Sequence, residues 1–302
     1  MRHIQTTVKN NCEAKRIGLQ GQGLMDLLSF HSMLIEEKAL NHWINNFYGY
    51  GSWQARFWFI GHEESGGDVP EEVAEKINYF YKVHASNNPA LCDIRELYRQ
   101  VAVGSHDPKA GLFANRFEYR FGSNAIQNGV WKNLIAFQHG YRNEKLPDLL
   151  EYQKNIFASL SENNEALLRL YPLPGPHSHA WYYSWLDLQQ LSFLKSRALY
   201  QEHVYERRIH TILSNILEYK PRLVLMYGME NITTLKKSVQ QFVHDVKFKM
   251  VKATKRLIPQ HHRTDIDGTT ILITSQVPSL RHNRIETGFD WEEFGKFVKG
   301  QN

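Results

Sequence analysis

Two adjacent carboxylates, Glu63 and Glu64, stand in the run Gly61-His62-Glu63-Glu64-Ser65-Gly66-Gly67, directly after the apolar residues Phe57 to Ile60. A carboxylate at the end of a buried strand has two chemical uses. Within hydrogen-bonding reach of a water it can act as a general base. Beside a sugar that develops positive charge it can stabilise the cationic transition state in a dry pocket. The structural alternative is that one glutamate is solvated and the other meets the N-terminus of the following helix, whose dipole favours an anion.

Other chemistries are excluded by residue type. Gly61 and Gly66 have the spacing of P-loop glycines, but Gly67 and Asp68 occupy the places where Lys and Ser or Thr are required. Glu63 and Glu64 would also repel a triphosphate. Gly21-Gln22-Gly23 lacks both a preceding strand and a third glycine, so a dinucleotide fingerprint fails and no cofactor is expected. The paired histidines His177/His179 and His261/His262 have no cysteine partner and no helical His-x₃-His spacing, so no metal is expected.

Charge is unevenly placed. From His244 to Arg263 the chain carries Lys247, Lys249, Lys252, Lys255, Arg256 and Arg263 against Asp245 alone, a surplus equal to the net charge of +5. Lys247 to Lys252 alternates cationic and apolar residues, as an edge strand does, and lysines there guard against edge pairing. Arg281, His282 and Arg284 form a second basic group. Together these could neutralise several phosphates of a nucleic acid. Glu63 to Glu75, by contrast, holds six acidic residues and no Lys or Arg.

The elements that would position these residues follow from periodicity. Arg56 to Ile60 reads as a strand covered on both faces and stopped by Gly61. Asp68, Pro70 and Glu71 cap a helix whose apolar face is Val73, Ile77, Phe80 and Tyr81. Buried strand, Gly-rich loop and capped helix bring backbone N–H groups together above a sheet edge. Arg222 to Tyr227 and Thr269 to Thr274 read as two further buried strands, the first ended by Gly228 and the second followed by a loop over 275–284. Helices are expected over 24–47, 124–139, 152–160, 205–219 and 230–243, with a last one capped by Asp290 and Glu293. Ala166 to Leu170 is a short apolar run broken by Pro172, Pro174 and Pro176. The expected fold is α/β, three-layer α/β/α with a central mostly parallel sheet and helical additions. Residues 1–23 are a polar extension and 24–302 a single domain. Two cysteines without metal or disulfide spacing, no leader-like apolar run and no stretch near the ~20 apolar residues of a bilayer span point to a cytoplasmic protein without a membrane partner.

Three segments also resemble a known family. Phe57-Trp-Phe-Ile-Gly61-His-Glu-Glu-Ser-Gly-Gly67 is similar to the first motif of the uracil-DNA glycosylase superfamily, a hydrophobic strand, a Gly and a short polar loop. Lys220-Pro221-Arg-Leu-Val-Leu-Met-Tyr-Gly228 resembles its Lys-Pro-Arg strand ending in Gly. Ile271-Leu-Ile-Thr-Ser-Gln-Val-Pro278-Ser279-Leu280 resembles its final strand and wedge loop. The resemblance covers about a tenth of the chain. It implies a fold of that type and hydrolysis of the N-glycosidic bond of a base flipped out of DNA. It makes Glu63 the residue that activates water or stabilises the cation. It implies that Gly61, His62, Gly66 and Gly67 contact the base, and that Ser279 and Arg281 contact the DNA strand. Val277 stands where the family carries a histidine, and the neighbouring Gln276 could donate one amide hydrogen bond to the leaving base. Two other readings stand beside it: a non-catalytic nucleic-acid or nucleotide-binding relative, and an unrelated hydrolase using Glu63 or Glu64 on a small molecule.

Overall fold

The computed structural model describes residues 35–64, 66, 70–86, 88–100, 116–175, 181–186, 188–254, 257–279 and 288–301. Among these residues eight strands run in chain order as β1 (Phe47–Tyr50), β2 (Phe57–Glu64), β3 (Ala90–Cys92), β4 (Glu165–Pro174), β5 (Leu223–Tyr227), β6 (Lys249–Val251), β7 (His261–Ile266) and β8 (Thr269–Ile273). The helices are α1 (Glu37–Asn46), α2 (Pro70–Val83), α3 (Ile94–Arg99), α4 (Arg116–Phe121), α5 (Gly129–Arg142), α6 (Leu149–Asn155), α7 (Arg197–Tyr219), α8 (Ile232–Phe242) and α9 (Trp291–Gly300). All eight strands join one mixed, mostly parallel sheet in the order β3-β1-β4-β2-β5-β8-β7-β6.

Four neighbouring strands, β4, β2, β5 and β8, run parallel. Every residue of β4, β5 and β8 is buried, so both faces of these strands are covered. From β2 the chain crosses to β4 on one side, whereas β5 and β8 lie on the other. The direction of winding therefore reverses at β2 and β5, and their carboxyl ends flank the crevice where open α/β sheets bind ligands. The carboxyl ends of β2, β5 and β8 lie side by side, and the turns after β5 and β8 are hydrogen-bonded to each other. Gly228 N–H donates to the Gln276 carbonyl at 3.0 Å, and Met229 N–H to that of Thr274 at 3.1 Å.

Several boundaries differ from the sequence reading. Gly61 does not stop β2, which continues through Glu64 because its partner β4 continues beside it to Pro174, with a bulge between Glu63 and Glu64. Pro172 and Pro174 are tolerated in β4 because β1 pairs with it only at Leu167 and Leu168, so no strand on that side needs their missing N–H groups. Side chains take the place of the absent neighbour: Trp43 Nε1 donates to the Pro172 carbonyl at 2.9 Å, Leu173 N–H donates to the Tyr200 hydroxyl at 3.0 Å, and the Tyr183 hydroxyl donates to Pro174 O at 3.1 Å. The first described helix ends at Asn46, and Phe47 opens β1, which contains Gly49 instead of being preceded by it. The helix expected over 205–219 begins earlier, where Ser196 Oγ accepts from Leu199 N–H. Strand β7 carries the polar sequence HHRTDI and has no period-2 apolar pattern that would announce it.

Buried Arg208 fixes α7 against the sheet. Its guanidinium donates to the carbonyls of Arg169 and Leu170, each at 2.7 Å, and of Phe47 at 2.9 Å, and lies 3.9 Å from the Tyr48 ring centroid. On another part of the sheet α5 and α9 touch backbone to backbone. A Cβ on Gly140 would lie 2.0 Å from Glu292 O, and one on Gly295 2.0 Å from Phe137 O. No described helix is long and apolar enough to cross a membrane.

Candidate functional site

A crevice of about 500 Å³ opens at the carboxyl ends of the parallel strands. It is lined by His62 of β2, Leu170 and Tyr171 of β4, Ala198, Gln201, Glu202, Tyr205 and Glu206 of α7, and Glu230, Asn231, Thr234 and Leu235 at and within α8. Arg208 holds α7 in place as one wall. Asn231, whose side chain accepts from Thr234 N–H, starts the other.

His62 and Glu63 meet this region from the end of β2. Nε2 of His62 is 3.8 Å from Glu230 Oε2, and its ring packs edge-on to Tyr171 with centroids 5.0 Å apart. Oε1 of Glu63 is 3.7 Å from Nε of Arg197, at the first turn of α7. Burial pushes the Glu63 carboxyl up from 4.5 to about 7; the Arg197 charge opposes this rise and that of Glu230 adds to it. Burial lowers His62 below its usual 6.5, against the pull of Glu230, so the imidazole is neutral at pH 7. Both residues therefore respond to the same two charges, Arg197 and Glu230.

Their polar atoms are incompletely used. Both ring nitrogens of His62, Oε1 of Glu63 and Nη2 of Arg197 are buried without a hydrogen-bond partner among the described residues. Buried polar atoms are nearly always satisfied in folded proteins, so a group of orphans in one place calls for a reason. Gly175 packs against this carboxylate. A Cβ there would lie 2.6 Å from Glu63 Oε2 and 3.3 Å from Arg197 Nη2. Glycine at 175 thus leaves the room in which Glu63 sits.

Glu64 has a different environment. It is 4% exposed and accepts from Nε of Arg169 at 2.6 Å and from the Tyr50 hydroxyl at 3.2 Å. Arg169, itself 5% exposed, also donates from Nη1 to the Tyr227 hydroxyl at 2.9 Å. The guanidinium passes over Gly61, where a Cβ would meet Nη1 at 2.6 Å and the Tyr227 oxygen at 3.0 Å. Glycine at 61 therefore admits the arginine that neutralises Glu64. The network ties β1, β2, β4 and β5 together at the end of the sheet that carries Glu63. In a low-dielectric interior a fully paired cluster of this kind fixes geometry.

The remaining candidates are dispersed. Gln276 and Ser279 are half-buried in the turn after β8, which is hydrogen-bonded to the turn after β5. Gly66 is half-buried with a left-handed φ of 90°. Gly67, Arg281, His282 and Arg284 lie outside the described residues. Lys247, Lys249 and Lys252 are exposed in and around β6, which is an edge strand as the alternation predicts. Lys249 aligns through Arg263, Leu272 and Leu225 with Phe59, so four strand spacings, ~19 Å, separate it from β2. The basic edge and the crevice are different surfaces. Among the described residues no group of three or more His, Cys, Asp or Glu is arranged to hold a metal ion.

Arg169, Arg197, Tyr171, Tyr227 and Glu230 were not singled out by the sequence. Only Arg169 left a trace there, as a charged residue within an apolar strand. No family model matches the chain, and no curated protein matches it in sequence. Fold and site together define an α/β protein with a mostly parallel mixed sheet and a polar crevice at the reversal of its winding.

Proposed function

We propose that this chain is a hydrolase of N-glycosidic bonds, of the uracil-DNA glycosylase type, with Glu63 as its acid–base group. The observation that carries the reading is the set of buried atoms on His62, Glu63 and Arg197 that have no hydrogen-bond partner among the described residues, beside a crevice of about 500 Å³. That volume is within the range of small-molecule sites and holds a base with its sugar. A carboxyl group near 7 is poised to exchange a proton at neutral pH. In the reaction, Glu63 takes a proton from water as the water oxygen bonds to C1′ of the sugar. The C1′–N bond breaks, its electron pair leaves with the base, the base nitrogen takes a proton from solvent, and Glu63 returns to solvent the proton it took from the attacking water. Before it takes that proton, the half-buried carboxylate of Glu63 favours the positive charge developing on the sugar. Tyr171 offers an aromatic face beside His62, whereas Gln276 is not among the residues lining the crevice.

A second reading has its own support. Among the described residues Glu202, Glu206 and Glu230 line the crevice, and no Lys or Arg does. Such a wall repels a polyanionic backbone and suits a neutral substrate such as a free nucleoside. Base release separates the readings. The protein is incubated with single-stranded and duplex oligonucleotides carrying uracil, hypoxanthine or xanthine, and in parallel with the free nucleosides, and released base is measured by chromatography. Release from oligonucleotides that is lost in Glu63→Gln supports the glycosylase. Release from nucleosides alone supports the small-molecule hydrolase. Salt-sensitive DNA binding without release supports a non-catalytic relative. Release that persists unchanged in Glu63→Gln refutes the assigned role of Glu63.

A further inference from the structure

A second concave site lies at the opposite edge of the sheet, before the amino ends of the same strands. Arg56 precedes β2, Asn164 precedes β4 and Arg222 precedes β5, while Arg142 and Lys299 come from the last turns of α5 and α9. These residues line a pocket of about 320 Å³ together with Phe57, Tyr141 and Glu144. Four cationic side chains from four separate segments face one small volume against a single carboxylate. Arg142 is partly engaged, 3.6 Å from Glu144 and donating to Asn164 Oδ1 at 3.3 Å. Arg56, Arg222 and Lys299 form no ion pair with any described residue.

Burial of the aromatic floor shapes the site. Phe57 and Tyr141 are 1% and 2% exposed. The Arg142 guanidinium lies 5.0 Å from the Phe57 ring centroid, and Arg222 and Lys299 lie 5.6 Å and 5.7 Å from that of Tyr141. The rings are thus occupied by cations and are not open for a base to stack upon. They support the arginines, which lowers the conformational cost of engaging a ligand. Part of the charge has a structural use, since Arg142 and Lys299 sit where helix dipoles favour cations. That account does not extend to Arg56 and Arg222, which precede strands.

We propose that this pocket binds a phosphate group, free or carried on an organic ligand. Donors arriving from several directions match an oxyanion with three or more oxygens around one centre better than a planar carboxylate with two. Arg56, Arg222 and Lys299 are exposed and Arg142 is half-buried, so water screens their mutual repulsion in part, and a dianion placed among them relieves what remains. The site is distinct from the Glu63 crevice and does not depend on the activity proposed there.

Inorganic pyrophosphate is the probe. It is titrated into the full chain by calorimetry at constant ionic strength, with sodium sulfate as competitor. One site is expected, and Arg56→Ala and Arg222→Ala should each weaken it roughly 10- to 100-fold, the loss of a charge-assisted contact. Lys38→Ala, an exposed lysine of α1, should leave it unchanged. Glu144→Gln removes the competing carboxylate from a half-exposed position and should tighten binding about 2- to 5-fold. This gain does not require either arginine variant to fold. A 5′-phosphorylated oligodeoxynucleotide that displaces pyrophosphate would place the phosphate on a nucleic-acid end, and failure to displace it would place it on a smaller ligand. The proposal is overturned if pyrophosphate does not bind at low salt. It is equally overturned if Lys38→Ala weakens binding as much as the arginine variants, or if Glu144→Gln leaves it unaltered.

Discussion

Glu63→Gln should make the protein more stable at alkaline pH and leave its stability in acid unchanged. The glutamate titrates at about 7 in the folded chain against 4.5 ordinarily. Between those values the folded state holds a proton that the unfolded state has released. The stabilisation from this protonation is fully present below pH 4.5 and is lost as pH rises through 7. A shift of about 2.5 units corresponds to about 3 kcal/mol. Glutamine is neutral throughout and resembles the protonated acid. Relative to wild type, the variant should gain nothing near pH 4 and up to about 3 kcal/mol above pH 8. Losing the contact with Arg197 does not cancel the gain, because that attraction already acts on Glu63 in the folded chain. The contact is also long, at 3.7 Å, and the Arg197 side chain is 29% exposed although its Nη2 is buried. Urea unfolding of both proteins at pH 4.5, 6 and 8.5 measures the difference. A difference that does not vary with pH, or a glutamine variant less stable than wild type at pH 8.5, would refute the burial argument and with it the case for Glu63 as a proton carrier at neutral pH. A gain in stability together with lost base release would be the trade expected of a functional carboxylate held in an unfavourable site.

Two further outcomes test the frame around that residue. Arg169→Met should destabilise by about 3–5 kcal/mol, because it leaves Glu64 buried and unpaired, and adding Glu64→Gln should restore much of the loss. Denaturant melts of the two single variants and the double variant form the cycle, and strict additivity of the single effects would show that the pair is not coupled. Gly175→Ala places a methyl group 2.6 Å from Glu63 Oε2, so it should displace the carboxylate and lower the rate of base release by roughly 10- to 100-fold. The far-UV circular dichroism should be retained, and full activity in this variant would show that the position of Glu63 is not critical.

The strands β2, β5 and β8 could be read directly from residue order, although β2 runs on past Ile60 to Glu64. Continuous apolar runs bounded by Gly or Pro are a local property, and so is the cap at Asp290 that the last helix uses; the caps at Asn128, Asp148 and Ser196 are equally local, but the apolar spacing alone began those helices at 124, 152 and 205. The edge character of β6 also followed from its alternation of lysine with apolar residues. The alternatives for Glu63 and Glu64 could be listed from sequence but not decided. Which carboxylate is neutralised depends on Arg169, 105 residues from Glu64 along the chain, and on Gly61 having no side chain in its path. The length of β4 was illegible for a similar reason. Its prolines forbid a strand only if a neighbour needs their N–H groups, and the partners that replace that neighbour are Trp43, Tyr183 and Tyr200, from distant segments. Local periodicity thus determined the central parallel strands and most of the helices, but not β1, β3 or β7. The choice of Glu63 over Glu64, the crevice walls and the basic pocket at the other edge depend on charges and voids between residues far apart in the chain, and these exist only once the sheet has brought them together.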